Sequence, residues 1–200
     1  AEPSEGKVHY GELTAATGGA RLRAQIGFLS HDLQLYPELT ARENLEFVAG
    51  LHGLDRPAER ADDALAQASL SERADDVVEG FSRGMRQRLG LERTLLHGPR
   101  LVLFDEPFTG LDEAPCGALV TRLRQLRAAG RIVVLATHDL DMVDRLLDRA
   151  VLLCLGRLGE LGAEGTLRER YRAALADAPP RRRRATSGGP AGPEAGELPT

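Results

Sequence analysis

Tryptophan is absent from these 200 residues, cysteine and methionine occur twice each, and of 26 basic residues only Lys7 is lysine. Two isolated cysteines, Cys116 and Cys154, have no CxxC spacing. That excludes a disulfide scaffold and predicts packed thiols in a reducing compartment. No apolar run approaches the ~18 residues of a membrane helix. The longest, Ala150 to Leu155, suits a buried strand. The first residues lack the charged segment followed by an apolar stretch that marks a secretory leader. The near-total use of arginine over lysine is a bias acting along the whole chain, so it singles out no site. Net charge is −4, which gives no field to attract nucleic acid.

What is present is an ordinary globular composition, 42% apolar and 28% charged. The length suits one domain with a tail, and such a domain buries roughly 70% of its unfolded surface. Residues 177–200 are Pro, Gly, Ala and charge, with four arginines at 181–184. They are expected to form a disordered tail whose arginines are solvated.

Residues 1–36 contain short strand-like pieces, Lys7 to Tyr10 and Gln25 to Leu29, within Gly-rich polar sequence. From Pro37 the pattern turns helical. Thr40-Ala-Arg-Glu43 reads as a capping box ahead of Leu45, Val48 and Leu51, and Gly53 stops that helix. Pro57 suits a first helical turn leading into 58–70, and another helix is expected from Met85 to His97. The second half alternates. Leu101 to Phe104 predicts a strand buried on both faces, and a helix from Cys116 to Ala129 follows. Then come a strand from Ile132 to Ala136, a helix over 141–147 and a strand from Val151 to Leu155 that turns at Gly156-Arg157 into Leu158 to Leu161. Strands alternating with helices imply a parallel α/β sheet, here with a helical block inserted at 37–98.

The strand at 101–104 ends in Asp105-Glu106, which puts two carboxylates at the edge of the sheet where α/β proteins bind ligands. In a nucleotide site the first can hold Mg²⁺ and the second can polarise a water. Alone, such a pair is equally a solvated strand end. Upstream stands Phe81-Ser82-Arg83-Gly84-Met85-Arg86-Gln87-Arg88; downstream stand Gly110-Leu111-Asp112 and Ala136-Thr137-His138-Asp139. In this order and spacing the residues resemble the ATP-binding-cassette (ABC) ATPases, over about residues 1–176.

The resemblance implies a P-loop NTPase-like fold with an inserted helical subdomain, and it assigns roles. Ser82, Arg83, Gly84 and Met85 occupy the signature, with Arg83 in place of its first glycine as a cation near phosphate and Met85 in place of its last polar residue, at a helix start whose free amides bind the γ-phosphate held by a second subunit. Ser82 also suits a plain N-cap. Asp105 matches the Mg²⁺ aspartate and Glu106 the catalytic glutamate. Asp112 lies in the D-loop, and His138 matches the switch histidine. His31 stands where the Q-loop normally has glutamine, with the helical subdomain beginning after it. His9, His52 and His97 match nothing and are read as structural. The implied blocks are 1–36, a remnant of the nucleotide core with the Q-loop; 37–98, the helical subdomain; and 99–176, the core with catalytic glutamate, D-loop and switch histidine.

A phosphate cradle of the form G-x-x-x-x-G-K-[ST] is missing; Ala1 to Val8 is only a near miss. The chain therefore resembles a cassette without its first strands and cradle. Implied cofactors are ATP and Mg²⁺. Implied partners are a membrane-spanning permease subunit and a second ATPase subunit, with no nucleic acid, at the cytoplasmic face of the plasma membrane. Three readings stand: an exporter ATPase, a cassette acting only as a pairing module, and a chromosome or DNA-repair ATPase. The last is disfavoured because only about fifty residues separate His31 from Ser82, too few for a rod. Among exporters, residues 81–88, 105–109 and His31 are similar to the haem-exporter ATPase of cytochrome c maturation, with related residues in drug and polysaccharide exporters.

Overall fold

The structure, a computed structural model, describes residues 3–176; the expected tail with its arginine run lies outside them. The described residues divide into two compact units between Leu147 and Asp148. The first opens with strands β1 (His9–Tyr10) and β2 (Leu13–Thr14), paired antiparallel, and helix α1 (Ala15–Arg23). There follow β3 (Ile26–Leu29), α2 (Ala41–Leu51), α3 (Pro57–Gln67), α4 (Arg83–Leu95), β4 (Leu101–Asp105), α5 (Glu113–Ala128), β5 (Ile132–Ala136) and the short α6 (Leu140–Val143).

Strands β3, β4 and β5 form one parallel sheet in that order, Leu29 opposite Phe104 and Asp105 opposite Ala136. Val102 and Phe104 are fully buried on β4. β5 is the edge strand among the described residues. It leaves Ile132 63% and Val134 52% exposed, so one of its faces is not covered. Gly27 lets α4 lie close on β3: a Cβ there would sit 2.9 Å from the Thr94 carbonyl oxygen and from Pro99.

The helical block is held by a cluster including Leu45, Leu65, Leu70, Val78, Phe81 and Leu89. Each fully buried side chain of this size contributes about 1.5–3 kcal/mol. Its first helix starts where local chemistry dictates: Thr40 Oγ1 accepts from the Glu43 amide at 3.1 Å, and Glu43 accepts from the Thr40 amide at 2.8 Å. Asn44 is fully buried, yet its amide accepts from the Tyr36 N–H at 2.8 Å and donates to the Tyr36 and Thr40 carbonyls at 2.9 Å each, pinning the segment that precedes α2.

Three elements differ from the expectation. α1 is a helix where only loop was foreseen, because Gly18-Gly19 interrupt it and Leu22 is its one buried large apolar side chain among the described residues, which gives no periodic signal; Gly19 has non-helical angles inside it. The helix expected over 141–147 ends at Val143. The strand expected from Val151 forms β6 (Val151–Cys154) and turns into β7 (Arg157–Glu160) as expected, ahead of α7 (Leu167–Ala176), but the antiparallel pair makes its own two-stranded sheet rather than adding to the parallel one. The tight turn at Gly156, φ +76°, makes a hairpin the local solution. Both cysteines are free thiols. Among the described residues no helix is long and apolar enough to cross a membrane.

Candidate functional site

Because β3, β4 and β5 run parallel, the segments that follow them emerge at one edge of the sheet. They carry His31, Asp105-Glu106 and Thr137-His138 respectively. Glu106 adopts a left-handed backbone conformation, φ +50°, which costs a non-glycine residue about 1–2 kcal/mol. It is held there from both ends. Its amide donates to the Ala136 carbonyl at 2.8 Å. Its carboxylate accepts from His138 Nδ1 at 2.8 Å and from the Thr137 hydroxyl at 3.1 Å. The Glu106 side chain is 30% exposed and that of His138 80%, so the pair is open to solvent and to a ligand.

Partial burial pushes the Glu106 carboxyl up, but the hydrogen bonds from His138 and Thr137 together with the imidazole charge outweigh it, leaving its pKa below the ordinary carboxylate value. The hydrogen bond to Glu106 and the carboxylate charge raise His138 above the ordinary imidazole value. The Glu106 contribution is present above the unfolded carboxylate pKa and is lost as pH falls through its lowered folded value. The His138 contribution is complete below the unfolded imidazole pKa and is lost as pH rises through its raised value. An NMR titration of His138 is therefore expected to show a midpoint above 6.5 that drops towards 6.5 in Glu106→Gln. A midpoint that ignores the substitution means the pair does not form.

The other predicted residues are placed as follows. Asp105 ends β4 and is exposed. Ser82 is the N-cap of α4, its Oγ accepting from the Met85 amide at 3.2 Å, which leaves the Arg83 and Gly84 amides without an intrahelical partner. Met85 differs from its neighbours in the motif: its side chain packs on the helical-block cluster and its amide is taken by Ser82. Asp112 is the exposed N-cap of α5 and makes no capping bond with its side chain. His31 is exposed and shares a cleft of about 250 Å³ with Arg83, Arg86, Gln87, Glu106 and Thr109. The fold thus brings His31 and the first turn of α4 to Glu106.

Thr137 and Gln87, whose Nε2 donates to the Pro107 carbonyl at 2.9 Å, were not foreseen as site residues. The only signal for Thr137 was its position beside His138 after an apolar strand. Among the described residues no three His, Cys, Asp or Glu side chains could together hold a metal ion. Asp105 alone offers one exposed carboxylate, so a Mg²⁺ there would have to take its remaining ligands from phosphate and water.

The family model described as ABC transporter matches residues 1–109. The linearmycin resistance ATP-binding protein LnrL of Bacillus subtilis is 32% identical over 164 residues, covering 81% of this chain and 53% of that protein. The cytochrome c biogenesis ATP-binding export protein CcmA 2 of Cupriavidus metallidurans is 36% identical over 137 residues, covering 68% and 65%. A solved dimeric ATP-binding cassette in a post-hydrolysis state, bound to ADP and Pi, superposes with a TM-score of 0.69 at 28% identity, covering 82% of this chain and 77% of that one. The chain spans about half the length of several curated relatives that it matches. The fold is that of an ABC ATPase cassette, and the chain belongs to the family of ABC transporter ATP-binding domains.

Proposed function

We propose that this chain forms part of the ATP-hydrolysing subunit of an ABC-type membrane exporter, acting at the cytoplasmic face of the plasma membrane with a permease and a second ATPase subunit. The observation that carries the reading is the Glu106 carboxylate at the carboxyl edge of the sheet, oriented by His138 and Thr137. A carboxylate fixed in this way has lone pairs free to orient a water and accept its proton. Asp105 would hold Mg²⁺, which supplies charge neutralisation at the phosphates when bound with ATP. Ser82 and the free amides of Arg83 and Gly84 would meet the γ-phosphate on the second subunit, with Asp112 beside that interface. His31 takes the Q-loop place, linking the sheet edge to the helical block.

The 200 residues contain no phosphate cradle of their own, so on its own the chain is expected to bind Mg-ATP more weakly than low micromolar by calorimetry. Placed behind a relative's phosphate-cradle segment, the same residues are expected to hydrolyse ATP. Failure to do so in a folded protein would leave the pairing-module reading. The finer proposal is haem export for cytochrome c maturation, supported by residues 81–88 and the similarity to CcmA 2. It is tested by whether the cradle-bearing protein restores covalent haem attachment in cells lacking their own exporter ATPase. Export of a drug or polysaccharide instead would leave that attachment unrestored.

A further inference from the structure

The first two turns of α4 touch the chain after β4 at three places, two on the loop and one at Pro115 on α5. Gln87 donates to the Pro107 carbonyl at 2.9 Å. Gly84 faces Pro115: a Cβ on Gly84 would lie 3.2 Å from the proline ring, tight but not impossible. Arg83, which stands where the signature resemblance expects glycine, extends across the loop and donates from Nη2 to the Thr109 carbonyl at 2.6 Å. Its guanidinium covers Gly110 so closely that a Cβ there would sit 2.6 Å from Nη1 and 2.8 Å from Nε. Gly110 has φ +68°, so the loop turns at a residue that needs the backbone freedom of glycine. That same short loop joins Glu106 to Asp112, and its internal bonds are few: the Thr109 amide to the Glu106 carbonyl at 3.2 Å and the Leu111 amide to Phe108 at 3.1 Å.

We propose that Arg83 is a positioning residue: its guanidinium clasps Thr109 and Gly110 and so fixes the loop that carries Glu106 at one end and Asp112 at the other. The clasp belongs to this chain alone; its consequence for turnover rests on the ATPase reading above.

The test reads amide exchange at Thr109 and Leu111 in the 200-residue chain, by NMR, for the unchanged protein, Arg83→Gly and Arg83→Lys. Loss of one charge-assisted hydrogen bond is expected to speed exchange at these two amides by about tenfold in Arg83→Gly, with Phe104 on β4 unchanged and Lys recovering part of the protection. Exchange that is the same in all three proteins overturns the clasp. Faster exchange throughout β4 as well would mean general destabilisation and also overturns it. In the cradle-bearing ATPase, Arg83→Gly is expected to lower kcat and leave KM for ATP unchanged. A raised KM with kcat unchanged would place Arg83 on the nucleotide and overturn the positioning role. If the cradle-bearing protein shows no ATP turnover while exchange responds as expected, the clasp stands and the ATPase reading falls.

Discussion

Glu106→Gln, in a subunit carrying a phosphate cradle ahead of Ala1, is expected to lower ATP turnover by about 10²–10⁴-fold, the usual contribution of a positioned general base. The amide keeps the shape of the carboxylate and can still accept from His138 or Thr137, but it cannot take a proton from water. Affinity for Mg-ATP is expected to stay within a few-fold, because Asp105 and the α4 N-terminus are untouched. The effect should exceed that of Thr137→Val, which removes one 3.1 Å bond to the carboxylate and leaves the base in place. Single-turnover hydrolysis measured across the three proteins checks this order. Turnover in Glu106→Gln close to that of the unchanged protein would remove Glu106 from the chemistry.

The second large effect concerns stability. Glu92 on α4 has a side chain only 5% exposed, and it accepts from Arg122 Nη2 on α5 at 2.6 Å; Arg122 is 24% exposed. Burial raises the Glu92 carboxyl, while the hydrogen bond and charge of Arg122 pull it down without cancelling the rise. Removing one partner of a buried pair strands the other, at a cost of about 3–5 kcal/mol. Arg122→Ala is expected to lose an amount of that order at pH 8, measured by urea unfolding. With Arg122 gone the Glu92 pKa rises further above its unfolded value. Its protonated form is then favoured in the folded state, so the deficit should shrink as pH falls from 8 towards 5. Replacing both partners by leucine should recover most of the loss, since no charge is left buried. A deficit under about 1 kcal/mol, or one independent of pH, would show that Glu92 is solvated rather than buried. The pair matters to the site because α4 begins at Ser82 and α5 begins at Asp112.

What the sequence made legible follows from how local each signal is. The capping box at Thr40 and Glu43 is written in residues three apart, and it forms as expected. The strand from Ile132 to Ala136 has the predicted limits because its apolar run is bounded by Arg131 and Thr137. α1 was invisible because two glycines interrupt it and almost nothing on it is buried. The hairpin from Val151 was marked by Gly156-Arg157 and forms as expected, but its separation from the parallel sheet depends on pairing, which periodicity does not encode. At the site, Asp105-Glu106 and His138 stood out as residue types at strand ends. The role of Thr137 did not, because its bond to Glu106 spans 31 positions and needs the unusual backbone of Glu106 to form. Arg83 was read as a cation for phosphate; its partner, the Thr109 carbonyl, lies 26 positions away and carries no mark in the sequence.

In the proposed function, ATP joins two such chains through the α4 N-terminus of each, and hydrolysis at Glu106 releases them. The most direct measurement is light scattering of the cradle-bearing Glu106→Gln protein with and without Mg-ATP. A monomer mass is expected without nucleotide and a doubled mass with it, with the doubling lost when Ser82→Arg is added to obstruct the α4 N-terminus. A mass that stays monomeric in saturating Mg-ATP, or a dimer that forms equally well with Ser82→Arg, would contradict it.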